Sequence, residues 1–250
     1  MAHRGDAEPR TATVARGVEP LVIGPADVTE FVNRMLSGNE ELPELQVAAL
    51  LAKGATVESI YCDLLGPAAR RLGALWEDDH CDFLQVTVAV GQVQRIVREL
   101  ATAFTGRQAH RDQPGSVLVT GLPDDHHSLG LLIAAEFFVR DGWAVNVGHP
   151  LVDAPIVEVV AGDWYDVIGA SLALAERAPE LRGMIRRLRK ASRNPHVAVV
   201  VGGKAAMEDP DLAQTVGADG VVRDVREAPQ VARAAMHQLR QGAGVPVTVS

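Results

Sequence analysis

Ser116-Val117-Leu118-Val119-Thr120-Gly121-Leu122-Pro123-Asp124-Asp125-His126-His127-Ser128-Leu129-Gly130 is the stretch where the chain changes its period. It opens as a short β-branched apolar run, loses all periodicity in the loop that follows, and resumes at helical spacing from Leu129 to Arg140. Strand, loop and helix in that order begin a parallel α/β unit. Four more strand candidates follow at residues 143–147, 167–170, 197–201 and 220–222, most of them separated by helical segments. Strands that are apolar on both faces need helices on both faces. The expectation is a doubly wound sheet of five parallel strands over residues 116–241, in which ligands bind outside the carboxyl ends of the strands.

Upstream, residues 25–104 read as a helical bundle. Pro25 opens a short helix ending near Gly38, and Pro43 opens a second that Gly54 stops. A third starts at Thr56 and places Ile60, Leu64, Leu65, Ala68, Leu72, Leu75 and Trp76 on one stripe, with a kink expected at Pro67. After the break at residues 79–82, a fourth carries Phe83, Val86, Val90, Val93, Val97, Leu100 and Phe104 on one face expected to be buried. Residues 1–20 lack hydrophobic periodicity and read as a disordered arm, residues 105–115 as a linker, and residues 242–250 as a flexible tail.

Composition narrows the function classes. A hydrophobic content of 47% over 250 residues supports two cored domains. The formal net charge of -8 argues against non-specific attraction to DNA or to an anionic membrane. The basic run Arg186-Arg187-Leu188-Arg189-Lys190, with Arg182 and Arg193, is expected to spread its charge around a solvated helix, giving little or no direct DNA binding. Cys62 and Cys81 are too far apart for a CxxC pair and too few for a disulfide framework, and the start carries no signal-peptide hydrophobic region. A cytoplasmic location is expected.

Chemistry concentrates in the loop after the first strand. The imidazole of His127 suits a transition metal, and Asp125, two residues earlier, can accept the other ring N–H and fix the tautomer. Gly130 lets the backbone pass close to a bulky group. His126 stands at the wrong offset from both Asp125 and Gly130. Asp-x-His-x-x-Gly in this position resembles the signature of the cobalamin-binding domain shared by methionine synthase, corrinoid proteins and certain mutases. Ser171 and Gly202-Gly203 stand where that family has its serine turn and its paired glycines, although Ala173 replaces the usual Leu or Thr of the turn. The resemblance implies a flavodoxin-like fold and cobalamin as cofactor. It also implies His127 as the metal ligand below cobalt, and a slot for the nucleotide tail lined by Ser171, Gly202 and Gly203. Haem is the competing cofactor for an imidazole, but it has no tail to occupy such a slot.

The helical half resembles a narrower group. Residues 73–83, with Val86-Thr87 and Gly91-Gln92-Val93-Gln94, are similar to the AerR/PpaA class, cobalamin-binding anti-repressors of photosynthesis genes in purple bacteria. That likeness implies a light-responsive regulator rather than an enzyme, acting through a DNA-binding repressor of the CrtJ/PpsR type. In light-sensing regulators that hold adenosylcobalamin, a Trp is followed ten residues later by Glu-His. Val86-Thr87 occupies those positions after Trp76, so that capping chemistry is missing. Trp76 is then a candidate to rest on the corrin face, His80 a candidate upper ligand, and His149 a pocket-lining residue just past the second strand. The alternative reading is a corrinoid methyl carrier serving partner methyltransferases, which the same two-part layout serves.

Overall fold

The structure, a computed structural model, describes residues 21–39, 41–106, 113–123, 129–148 and 156–242. In the helical half, α1 (Pro25–Leu36) starts on Gly24, whose N–H donates to Asp27 at 2.8 Å. α2 (Glu41–Ala52) begins two residues earlier than Pro43 implied and keeps that proline in its first turn. α3 (Val57–Ser59) is capped by Thr56, whose hydroxyl accepts from the Ser59 N–H at 3.0 Å. It runs through a π turn at Ile60–Leu65 into α4 (Gly66–Glu77). The kink expected at Pro67 takes this form. An α turn there would press the proline ring on a carbonyl, and the wider turn, closed by Gly66 N–H on the Tyr61 carbonyl, gives it room. α5 (Phe83–Thr105) opens with a reciprocal cap between Asp82 and Gln85 and ends at Gly106, φ +67°.

The third stripe is buried from Ile60 to Leu72 but not at its end, since Trp76 is 52% exposed. The fourth is buried only from Ala89 onward: Phe83 is 75% exposed, and Ala89 and Ile96 supply contacts that spacing had assigned to Val86 and Val90. Helical spacing establishes a shared face, but not that another element covers it. The tip of the α4–α5 hairpin therefore carries apolar side chains outside the core.

The second half holds β1 (Ser116–Gly121), α6 (Leu129–Arg140), β2 (Ala144–Gly148), α7 (Ile156–Gly162) and β3 (Val167–Ser171). It continues with α8 (Ala178–Ala191), β4 (Ala198–Gly202), α9 (Lys204–Glu208), α10 (Leu212–Val216), β5 (Gly220–Val221) and α11 (Ala228–Gly242). All pairings are parallel and the order is β2-β1-β3-β4-β5, the doubly wound arrangement expected. Val117, Val119, Val167, Ala198 and Val200 face α6 and α11, while Leu118, Ile168, Ala170, Val199 and Val201 face α7, α8 and α10. No helix among the described residues is long and apolar enough to cross a membrane.

The halves share a core rather than merely a linker. Ile133 and Phe137 of α6 belong to the helical cluster, and the Phe104 ring lies 4.9 Å from both Tyr61 and Phe137. The Arg140 guanidinium stacks 4.3 Å from Phe104 and reaches Glu58 at 2.6 Å. Arg226, after β5, bridges Glu58 at 3.2 Å, Asp63 at 2.7 Å and Asp224 at 3.1 Å. These charged groups are about one-third exposed, which keeps the contribution of the network modest. Glu58→Ala removes a partner from both arginines and is expected to lower the unfolding free energy by about 1 kcal/mol. Urea titrations at low salt and at about 1 M salt check this: the deficit should shrink in salt. A deficit indifferent to salt would deny the network an electrostatic role.

Candidate functional site

Strand order reverses between β1 and β3, and the carboxyl ends there form the switch point of the sheet. Parallel register sets Gly121 beside Ser171 and Ser171 beside Gly202. Alternation along each strand turns all three toward α6 and α11, the side on which α11 buries only Ala228, Pro229, Ala232 and Ala235. A row of small residues thus faces a helix whose own inward residues are mostly small. Ser171 is half-buried, and its hydroxyl makes no hydrogen bond to another described residue.

The two paired glycines have different reasons to be glycine. Gly203 has φ +99°, and a Cβ there would lie 2.5 Å from the Leu172 carbonyl oxygen and 2.8 Å from Ser171 Oγ, so the backbone itself demands glycine. At Gly202 a Cβ would meet Val222 at an ordinary 3.5 Å. At Gly130, in the first turn of α6, it would meet nothing within 4 Å. The protein's own packing therefore does not require glycine at positions 202 and 130. These residues fit a tailed cofactor: Gly121, Ser171 and Gly202 bring no bulky side chain of their own to the row, where Leu131 and Val222 stand beside the two glycines, and the serine offers a hydroxyl.

Asp125, His126, His127 and His149 lie outside the described residues. The stem of the loop is described, and sequence spacing did not anticipate its brace. Arg177, just before α8, donates to the Pro123 carbonyl oxygen at 3.1 Å and pairs with Glu180 at 2.8 Å. Its signal is lost in sequence because fifty-four residues separate Arg177 from Pro123. Ala173, the departure from the family turn, is buried just past β3.

On the helical side, Trp76, Phe83, Leu84 and Val88 are exposed together around the α4–α5 turn, and His80 stands exposed within that turn. The turn is tight: the His80 N–H donates to the Leu75 carbonyl at 2.8 Å, and Asp79 takes φ +56°. Trp76 and His80 of this group were site candidates from sequence; Phe83 was expected to be buried, and it, Leu84 and Val88 join the group through their exposure. Among the described residues, no three or more His, Cys, Asp or Glu side chains gather as a multi-ligand metal site. Burial pushes the Cys62 thiol up to about 12, Arg226 pulling it down and Asp224, Asp63 and Glu58 adding to the rise. It is protonated at neutral pH and unsuited to act as a thiolate.

Comparison with known proteins points the same way. A family model described as the B12 binding domain matches residues 115–233, a span that contains the whole row and the loop after β1. The "Uncharacterized 20.5 kDa protein in bchF-crtJ intergenic region" of Rhodobacter capsulatus is 25% identical over 169 residues, covering 68% of this chain and 88% of that protein. Among solved structures, the monomethylamine corrinoid protein of Methanosarcina barkeri superposes with a TM-score of 0.68 at 15% identity, over 84% of this chain and 98% of that one. The latter likeness is one of fold, and it includes the helical half.

The contrast between the paired glycines can be measured. Gly203→Ala is expected to destabilise the protein by about 2 kcal/mol or more, through strain at a left-handed position. Gly202→Ala should leave the unfolding free energy of the cofactor-free protein within about 0.5 kcal/mol while weakening cobalamin uptake about tenfold. Urea unfolding and spectrophotometric titration read the two effects separately, and a Gly202→Ala protein that takes up cobalamin like the wild type would remove Gly202 from the slot. Matched family, strand order and the row of small residues agree: residues 115–233 belong to the B12 binding domain family, and the cofactor of this chain is cobalamin.

Proposed function

We propose that the protein is a cobalamin-dependent, light-responsive regulator that acts in the cytoplasm as an anti-repressor, by engaging a DNA-binding repressor of the CrtJ/PpsR type. The observation that carries this reading is the exposed apolar tip of the α4–α5 hairpin, with Trp76 52%, Phe83 75% and Leu84 68% exposed, on the half of the chain that accompanies the B12 binding domain. Apolar side chains grouped on a surface mark a binding face. The Rhodobacter capsulatus relative, whose printed name places it between bchF and crtJ, supports the regulatory setting.

In this reading His127 would be the residue that ligates the cobalt, with Asp125 orienting its ring. Ser171, Gly202 and Gly203 would border the nucleotide tail, His149 would line the pocket, and Trp76 and His80 would meet the corrin. Cobalamin, when bound, supplies a cobalt centre whose upper ligand can exchange or be lost to light. The residues of the chain convert that into a signal. Covering Trp76 and Phe83 favours one arrangement of the hairpin, and uncovering them leaves an apolar face for the repressor. To move a population from almost wholly one arrangement to almost wholly the other needs about 5.5 kcal/mol of differential binding. Covering Trp76 and Phe83, which are 52% and 75% exposed, contributes roughly 2–4 kcal/mol of it, since a fully exposed side chain gives about 1.5–3 kcal/mol on burial.

A second reading, a corrinoid methyl carrier serving partner methyltransferases, draws support from the likeness to the monomethylamine corrinoid protein. The two readings part in one set of experiments. The protein is loaded with hydroxo-, methyl- or adenosylcobalamin, or offered haem, and its absorption spectrum and capture of the repressor are recorded in darkness and after illumination. Corrinoid uptake in preference to haem, and repressor capture that changes about tenfold or more on illumination, are expected. His127→Ala should shift the bound-cobalamin spectrum away from its histidine-ligated form. Trp76→Ala with Phe83→Ala should keep the cobalamin but lose the light-dependent difference. Methyl transfer to a thiol or folate acceptor through a partner enzyme, with repressor capture indifferent to light, would establish the carrier instead.

A further inference from the structure

α8 turns a basic face outward. Residues 177–193 hold seven of the chain's 24 lysines and arginines but one of its 32 acidic residues. Spacing alone implied a solvated helix with charge all around it, whereas α8 is divided. Ala178, Leu181, Met184, Ile185 and Leu188 are buried against the sheet, which leaves the cations to the outer side. Two of them are fixed in place. Arg189 donates to the Gly217 carbonyl at 3.1 Å and to Asp219 at 2.8 Å, and Arg193 donates to the Gly162 carbonyl at 2.9 Å. They thereby sit at the carboxyl ends of the two flanking helices, α10 and α7, where positive charge is favoured. Arg182, Arg186, Arg187 and Lys190 are exposed and make no ion pair among the described residues.

We infer that this face is a contact surface for the phosphodiester backbone of double-stranded DNA, engaged without regard to base sequence. Positions 182, 186, 189, 190 and 193 recur at steps of three and four, so the charge forms a line about 16 Å long, at about 1.5 Å of rise per residue. A duplex presents a linear charge of one phosphate per roughly 1.7 Å of axis. All but one of the six outer cations are arginines, whose planar fork matches phosphate oxygens. A protein partner fits less well. Interfaces between proteins are built around apolar cores, and none of the large exposed hydrophobic side chains lies on α8. The net charge of -8 does not oppose the contact at this range, because it is an average over the chain and screening confines each charge to about 8–10 Å. The inference is independent of the regulator reading and revises the expectation of little or no direct DNA binding.

The test uses the full-length protein loaded with cobalamin and a fluorescent DNA duplex of about 30 base pairs and arbitrary sequence, titrated by anisotropy between about 50 and 200 mM salt. Four phosphate contacts, at about -0.9 each, predict a log–log salt slope near -3.6, a loss of roughly a hundredfold in affinity over that range. The double variant Arg186→Gln with Lys190→Gln should bring the slope to about -1.8 and weaken binding at low salt. Its thermal midpoint should remain that of the wild type, since both side chains are exposed. Absence of binding at about 50 mM salt, or an unchanged slope in the double variant, would overturn the inference. So would polyglutamate or vesicles of anionic phospholipid competing as well as unlabelled duplex, the first assigning the face to an acidic protein and the second to a membrane surface.

Discussion

Parallel pairing leaves no freedom over which residues stand side by side at the carboxyl edge of a sheet. With Val117 beside Val167, and Val167 beside Ala198, Gly121, Ser171 and Gly202 must share one row and one face. The rest of the site follows from that row. Helices α6 and α11 cover the face below it, and the fully buried residues of α11 there are mostly alanines. The loop bearing Asp125 and His127 leaves β1 at the end of the row, and Arg177 ties its stem to the segment after β3. The row and the stem of the loop, at Leu122 and Pro123, therefore lie where the strand order reverses, the place at which doubly wound sheets bind their ligands.

The helical half is joined to this arrangement firmly at one end and exposes apolar side chains at the other. At the joint, Phe104 packs between Tyr61 and Phe137, and Arg140 and Arg226 hold Glu58 from two sides. At the far end, the α4–α5 turn displays Trp76 and Phe83. A helical pair anchored at its base and apolar at its tip can respond to what lies against the tip without losing its attachment. The exposed aromatics are unfavourable in water, and any surface that covers them relieves that cost.

Much of the sheet was legible in sequence because strands buried on both faces leave few polar interruptions. The run at Ser116 was expected to end at Thr120 and ends at Gly121, and the run at 143–147 is displaced by one residue. Ser171, Gly202 and Gly203 were marked by resemblance, yet only the register shows that Gly121 belongs with the first two, and only the backbone separates Gly203, required by its own φ, from Gly202. The helical stripes misled at their ends: Trp76 and Phe83 continue the spacing of buried positions, and nothing local distinguishes a face that is covered from one that is not. The π turn before Pro67 and the Arg226 bridges were beyond reach for a related reason. Both depend on groups that tertiary packing brings together, Arg226 and Glu58 lying 168 residues apart. Net charge, an average over the chain, does not register where charge gathers, so the outward basic face of α8 was not visible in it.

The central claim is that the row at the carboxyl edge receives the nucleotide tail of cobalamin, and it is tested most directly by removing the tail from the ligand and leaving the protein unchanged. Cobinamide keeps the corrin and the cobalt but lacks the nucleotide. Titrated side by side against the wild-type protein, cobalamin should bind at least about tenfold more tightly than cobinamide, because only cobalamin can fill the slot beside Gly121, Ser171 and Gly202. Equal affinity for the two would contradict the account.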